Sequence, residues 1–146
     1  MPVLAPDVVE FLRGAHVAAL ATMRPEGRPH VVPVWYEWDG REFTMASFRE
    51  LQKVKNIARK GFAALSVFTS ELPYLQVTVE GTARVGGSID NVWRERVAMR
   101  YLGEAAGRAY VRDTADMDAV AIYVRPLKWH TEGFGFDQED ADDTAD

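Results

Sequence analysis

The chain of 146 residues has no cysteine. That excludes disulfides and thiolate metal sites, and with them the small disulfide-stapled secreted folds. Its three histidines, His16, His30 and His130, show no HxxxH spacing and no neighbouring paired acids, so no metal site is expected. The glycine-rich dinucleotide fingerprint and the GxSxG elbow are both missing, and strands and helices do not alternate strictly as in a Rossmann sheet. A Ser-His-Asp set that meets only in space would leave no such signal. The carboxylates form no recognisable acid–base pair. No apolar run approaches the roughly 20 residues that a bilayer span requires, and the N-terminus lacks the basic-then-apolar order of a signal peptide. A soluble, cytoplasmic protein with no membrane partner is therefore expected. No internal repeat or interdomain linker is visible.

Enough apolar material is present for one core. The hydrophobic content is 47% and the aromatic content 11%, above what disordered chains carry. The formal charge of −5 is mostly a property of the last ten residues. Positions 137–146 hold six acids (Asp137, Glu139, Asp140, Asp142, Asp143, Asp146) and no base, so six of the 22 acids leave 16 against 17 basic residues. The body is then close to neutral, which gives no electrostatic reason to expect a nucleic-acid partner. The expected organisation is one domain over residues 1–136 and an acidic, disordered tail over residues 137–146.

Along the chain, residues 6–13 read as a short helix. The apolar run over residues 16–23 ends at the turn-like Arg24-Pro25-Glu26-Gly27, and a second strand follows over residues 28–38. Asp39-Gly40 is a hairpin signal leading into a strand over residues 42–47, so these three strands are expected to form a meander. Residues 62–69 and 75–85 read as further strands, since Leu75, Val77 and Val79 alternate with Gln76, Thr78 and Glu80. Ser88 or Asp90 would cap a helix running to about Leu102, with Gly103 as its stop. Residues 104–117 are ambiguous, and residues 119–131 form the last strand. The pattern predicts a mainly β (α+β) fold: a six-stranded antiparallel closed or split β-barrel with peripheral helices.

The segment between the third and fourth strands carries the most chemistry. A basic helix is expected to open just after Ser47 and run over residues 49–60. At 100° per residue, Leu51, Val54, Ile57 and Ala58 fall in an arc of about 120°, the expected core face. Arg49, Lys53, Asn56 and Lys60 share a neighbouring arc about 60° wide. Beside a helix N-terminus such an edge offers amides, a favourable dipole and ammonium donors to an anion. An ordinary solvated basic face is the plainer reading of the same pattern. Ser47 could cap the helix, donate to a phosphate, or do both. Gln76 is either solvent-exposed or, if its face lines a cleft, able to hold a ring carbonyl or nitrogen. Trp35, Tyr36 and Trp38 suit the core, or the wall of a flat heterocycle site. Pro33 marks a strand edge or bulge.

Three segments taken together, HVAALATMRPEGRPHVVPVWYEWDGREFTMAS, KVKNIARKGFAALSV and LQVTVEGTAR, resemble the pyridoxamine 5′-phosphate oxidase-like family. This is the flavin/deazaflavin oxidoreductase superfamily of FMN-binding split β-barrels. The resemblance covers roughly residues 8–130 in the expected order. Lys53-x-x-Asn56, a following basic pair and an apolar strand are most similar to the deazaflavin-using branch. The resemblance implies a homodimer with coenzyme F-420 or FMN in grooves at the subunit interface. It puts the phosphate on Lys53, with Ser47 and Asn56 as helpers, and the ring beside Pro33, Val34 and Trp35. Gln76 matches a glutamine that reaches the cofactor, and Trp129 lies in a late segment contributed by the partner subunit. The arginine-rich substrate motif of true pyridoxamine phosphate oxidases is missing, since RPLKWHTEGFGF holds only Arg125 and Lys128; the resemblance does not extend to vitamin B6 oxidation. It implies hydride transfer to or from a small unsaturated or heterocyclic substrate, with no catalytic side chain identified. The alternative is a non-catalytic split barrel that stores or senses a flavin, deazaflavin or haem.

Overall fold

The alternation of apolar and polar residues builds the strands as expected. In β1 (Ala18–Met23) the buried positions are Ala18, Leu20 and Thr22. In β4 (Phe43–Phe48) they are Phe43, Met45 and Ser47. In β5 (Phe62–Phe68) they are Ala63, Leu65 and Val67. This period of two sends one face of each strand to a single core. The computed structural model describes residues 4–135; the acidic segment over residues 137–146, with the disorder expected of it, lies outside them. The remaining elements are α1 (Pro6–Leu12), β2 (Pro29–Val34), β3 (Glu37–Trp38), α2 (Gln52–Lys60), β6 (Gln76–Ser88), α3 (Asn91–Leu102), α4 (Glu104–Asp113) and β7 (Ala119–Glu132). Among the described residues no helix is long and apolar enough to cross a membrane.

All strand pairs are antiparallel, in the order β2-β1-β5-β6-β7-β4-β3. The sheet has seven strands rather than the six expected, because the strand over residues 28–38 is broken at Trp35-Tyr36. The expected meander is corrected too: β2 pairs with β1 and β3 with β4, but β2 and β4 do not pair. Chain continuity then dictates the shape. From Val34 to Glu37 is three peptide steps, which reach at most about 11 Å, so the two outer strands must lie near each other without pairing. That is a split β-barrel.

Local chemistry explains the turns and helix ends. Gly27 donates its amide to Arg24 O at 2.9 Å with φ 89°, closing the β1–β2 hairpin. Asp39 Oδ1 accepts from the amides of Arg41 and Glu42, both at 2.8 Å, beside Gly40 at φ 95°. Asp90 caps α3 by accepting from Trp93 N at 2.7 Å. The ambiguous residues after Gly103 form α4, which crosses α3 closely: a Cβ on Gly107 would stand 2.6 Å from Met99 N. Pro33 lies on β2, an edge strand whose proline needs no ladder partner on its outer side.

The tight α3–α4 crossing gives a stability prediction. Gly107→Ala should lower unfolding free energy by about 1–3 kcal/mol, the cost of overpacking against backbone that cannot yield. Gly87→Ala, whose Cβ meets nothing within 4 Å, should change it by less than about 0.5 kcal/mol. Urea midpoints of the two variants and the wild type are the measurement; equal loss at both positions would contradict the packing argument.

Candidate functional site

The break at Trp35-Tyr36 leaves a gap in the barrel wall, and a cavity of about 430 Å³ opens there. Its wall is built from β2 (Pro33, Val34), the break (Trp35), β4 (Ala46, Ser47, Phe48), the entry to α2 (Leu51, Lys53), and α3 and α4 (Trp93, Arg94, Val97, Tyr110). Five of the eight residues singled out in the sequence thus meet in one place: Lys53, Ser47, Pro33, Val34 and Trp35.

The basic helix lies differently from its sequence pattern. It begins at Gln52, three residues later than expected, and no side chain caps it. Ser47 is therefore not its cap; it sits within β4, opposite Val120 of β7. The buried face is rolled away from the apolar arc. Val54, Asn56 and Ile57 are buried, whereas Leu51 and Ala58 of the expected core face are exposed. Asn56 is buried because polar partners meet it: its Nδ2 donates to Thr22 Oγ1 at 3.0 Å, and its Oδ1 accepts from Gln52 Nε2 at 2.8 Å. The amide pins α2 to β1 and does not line the cavity. In projection Lys53 falls between Asn56 and Ile57, on the inward side of the helix at the end that opens into the cavity.

Two polar groups in the cavity lack the partners that burial normally demands. Ser47 is buried and its Oγ has no hydrogen-bond partner. Lys53 is half-buried and makes no ion pair with any described carboxylate; desolvation holds its ammonium pKa below the ordinary lysine value. By contrast Arg49, on the same expected cationic edge, is turned to Asp118 at 2.7 Å. Nearby His30 has its pKa lowered by desolvation and by the charges of Arg24 and Lys53. Trp35 is held by two rings: it stacks on Tyr101 at 5.0 Å and meets Tyr110 edge-on at 5.6 Å.

Gln76 and Trp129 lie elsewhere on the chain. Gln76 Nε2 donates to Thr78 Oγ1 at 3.0 Å, and Gln76 lines a smaller recess of about 270 Å³ with Ser66, Tyr74 and Glu132. Trp129 packs edge-on against Trp38 at 5.5 Å, and its Nε1 has no partner. Sequence reasoning missed Arg94, Val97 and Tyr110, which reach the cavity from α3 and α4. Their signal was faint. Arg94 and Val97 share one helical face, but nothing in their spacing says which barrel opening that face covers.

Residues 4–132 match the family model described as pyridoxamine 5′-phosphate oxidase. An F420H(2)-dependent biliverdin reductase of Mycobacterium tuberculosis (strain CDC 1551 / Oshkosh) is 33% identical over 102 residues, spanning 67% of this chain and 72% of its own. Among solved structures, an F420 reductase superposes with a TM-score of 0.68 at 27% identity, over 83% of this chain and 94% of that one. HutZ, the heme storage protein of Vibrio cholerae, superposes with a TM-score of 0.68 at 18% identity, over 92% of this chain and 98% of that one. The last likeness speaks for the fold alone.

The desolvated lysine gives a pH-dependent prediction. Its pKa is lowered in the native state and ordinary in the unfolded state. At neutral pH both states carry the charge, and the native state bears the full desolvation penalty. As pH rises through the native pKa the unfolded state binds more protons, so stability rises until the unfolded pKa, about 10.4, is passed. Lys53→Met should therefore raise the melting temperature of the ligand-free protein at pH 7, by a margin that shrinks towards pH 10. Calorimetry across that range checks it; a variant less stable at pH 7 would contradict it.

Proposed function

The chain belongs to the pyridoxamine 5′-phosphate oxidase family, and from that premise we propose that it is an oxidoreductase using coenzyme F-420, a phosphate-bearing deazaflavin, or FMN. It transfers hydride to or from a small unsaturated or heterocyclic substrate. The observation that carries this reading is the coincidence, in one cavity, of a desolvated lysine without a counter-ion and a buried hydroxyl without a partner. A phosphate supplies what both lack: negative charge for Lys53 and acceptor oxygens for Ser47. The α2 dipole favours the same anion. A cavity of about 430 Å³ lies in the size range of small-molecule sites.

The remaining residues orient the ligand. Pro33 and Val34 offer an apolar edge without a bulky polar group, and Trp35 a flat face held still by Tyr101. The bound coenzyme supplies the hydride chemistry, which agrees with a site that has no acid–base pair of its own. Deazaflavin is the first choice because two relatives above 25% identity are named for F420. A homodimer completes the site in this reading. Met23, Phe62 and Leu127 are exposed together beside Pro29 on an apolar recess of the outer sheet face, the kind of surface that a second copy covers. Gln76 and Trp129 would reach the cofactor from the partner subunit. A haem-storing role finds less support in this cavity, whose lining holds no histidine, cysteine or methionine and offers Tyr110 alone among the usual haem-iron ligands.

Titration of the purified protein with F-420 and with FMN tests the reading. Lys53→Ala should weaken the preferred cofactor by about 1.5–3 kcal/mol, the scale of a charge-assisted hydrogen bond. Equal affinities of wild type and variant for both cofactors would sink the assignment. Turnover with a reduced cofactor and a conjugated acceptor, and not binding alone, marks the protein as an enzyme.

A further inference from the structure

The cavity holds a second cation, more deeply buried than Lys53. Arg94, on α3, is only 5% exposed and lines the wall formed by α3 and α4. Its Nη1 donates to Asn91 Oδ1 at 3.1 Å and to Thr114 O at 3.2 Å, and its Nη2 donates to Thr114 Oγ1 at 2.5 Å. Every one of these acceptors is neutral. No described carboxylate pairs with it, and its Nε–H has no partner among the described residues. The arginines that do form ion pairs, Arg28, Arg49, Arg84, Arg96 and Arg108, have side chains between 48% and 72% exposed. The ion pairs are thus formed where they contribute least, and the buried guanidinium is left without one.

That inversion calls for a physical reason. A lysine can relieve burial by shedding its proton, but a guanidinium stays charged under all relevant conditions. A buried permanent cation held only by neutral acceptors is costly unless an anion joins it. We infer that Arg94 reads a carboxylate on the substrate, and that the substrate is a flat aromatic or heteroaromatic acid. The guanidinium fork matches a planar carboxylate in two parallel hydrogen bonds, whereas the ammonium of Lys53 with the hydroxyl of Ser47 suits a phosphate. Around the fork the walls are aromatic: the Arg94 guanidinium carbon stands 5.5 Å from the Phe48 ring centre and 6.0 Å from that of Tyr110. Trp35 and Trp93 line the same space. A conjugated acid would lay its ring between these faces while its carboxylate closes the charge on Arg94. The asparagine and threonine contacts hold the fork in place, tying α3 to the end of α4. This assignment rests on the proposed function only in calling the acid a substrate; the acid site itself is readable without cofactor.

The test uses cofactor-free protein with 2-naphthoate and its neutral counterpart 2-naphthamide, followed by quenching of tryptophan fluorescence. Wild type should bind the acid at least about tenfold more tightly than the amide, as one charge-assisted pair implies. Arg94→Met should bind the two alike. Arg94→Lys, which keeps the charge without the fork, should retain part of the preference and guards against a methionine variant that fails to fold. Absence of a preference in wild type, including absence of saturable naphthoate binding, overturns the inference. So does its survival in Arg94→Met. Cofactor titration fails or succeeds separately: a cofactor-binding protein without acid preference refutes the acid site alone, and the converse refutes the cofactor reading alone.

Discussion

The cavity depends on how the chain satisfies its backbone where the second strand breaks. A strand interrupted inside a protein loses ladder partners that must be replaced. Here Tyr36 N–H donates to Tyr101 Oη at 3.2 Å, and that hydroxyl donates onward to His16 O at 2.7 Å. Tyr36 itself is fully buried, its own hydroxyl donates to Leu12 O at 2.9 Å, and burial pushes its pKa up. One tyrosine from α3 therefore stitches the break to the start of β1, and a second anchors it to α1. Because Arg94, Val97 and Tyr101 lie on one face of α3, fixing Tyr101 at the break also sets Arg94 in the cavity wall. The same Tyr101 ring stacks on Trp35. The gap in the barrel, its aromatic wall and its deeper cation all follow from this contact.

Such a site is costly to the ligand-free fold. A partnerless serine hydroxyl, a desolvated ammonium and a buried guanidinium each oppose folding. The surrounding packing offsets them: Leu20, Tyr36, Phe43, Met45, Ile57 and Leu65 are almost wholly buried in one continuous core. Ser47, Lys53 and Arg94 bring these three costs together in one cavity wall, which supports the proposed anion-binding reading. The salt bridges elsewhere are exposed and add little.

Much of this was legible in the sequence, and the losses have identifiable causes. Strand alternation, the Asp39-Gly40 hairpin, the Asp90 cap and the Gly103 stop depend on neighbours a few residues apart, and each appears as read. The break at Trp35-Tyr36 depends on Tyr101, 65 residues away, so no local pattern announces it and the meander was expected instead. The roll of α2 has a similar cause. Asn56 is buried because Thr22 on β1 meets its amide, and a helical wheel that sorts residues by polarity assigns it to solvent. Lys53 was singled out by the family resemblance, since the wheel alone left it on one edge with Arg49, Asn56 and Lys60. Arg94 was not, since an arginine on a mixed helix reads as a surface charge until α4 is packed over it.

A site that contributes charge and shape but no acid–base pair also constrains the kind of chemistry. In hydride transfer the reactive atoms belong to the cofactor and the substrate, and the protein's task is to hold two flat molecules face to face and fix their charged ends. The cavity's division suits that task, with Lys53 and Ser47 on the β4–α2 side and Arg94 on the α3 side. In the proposed reading, two anionic groups held on two different elements set orientation about two points, which a single cationic helix cannot do. The basic stretch after Ser47, the most conspicuous feature of the sequence, is then half of the electrostatic frame. The other half comes from an arginine whose significance only the packed structure makes visible.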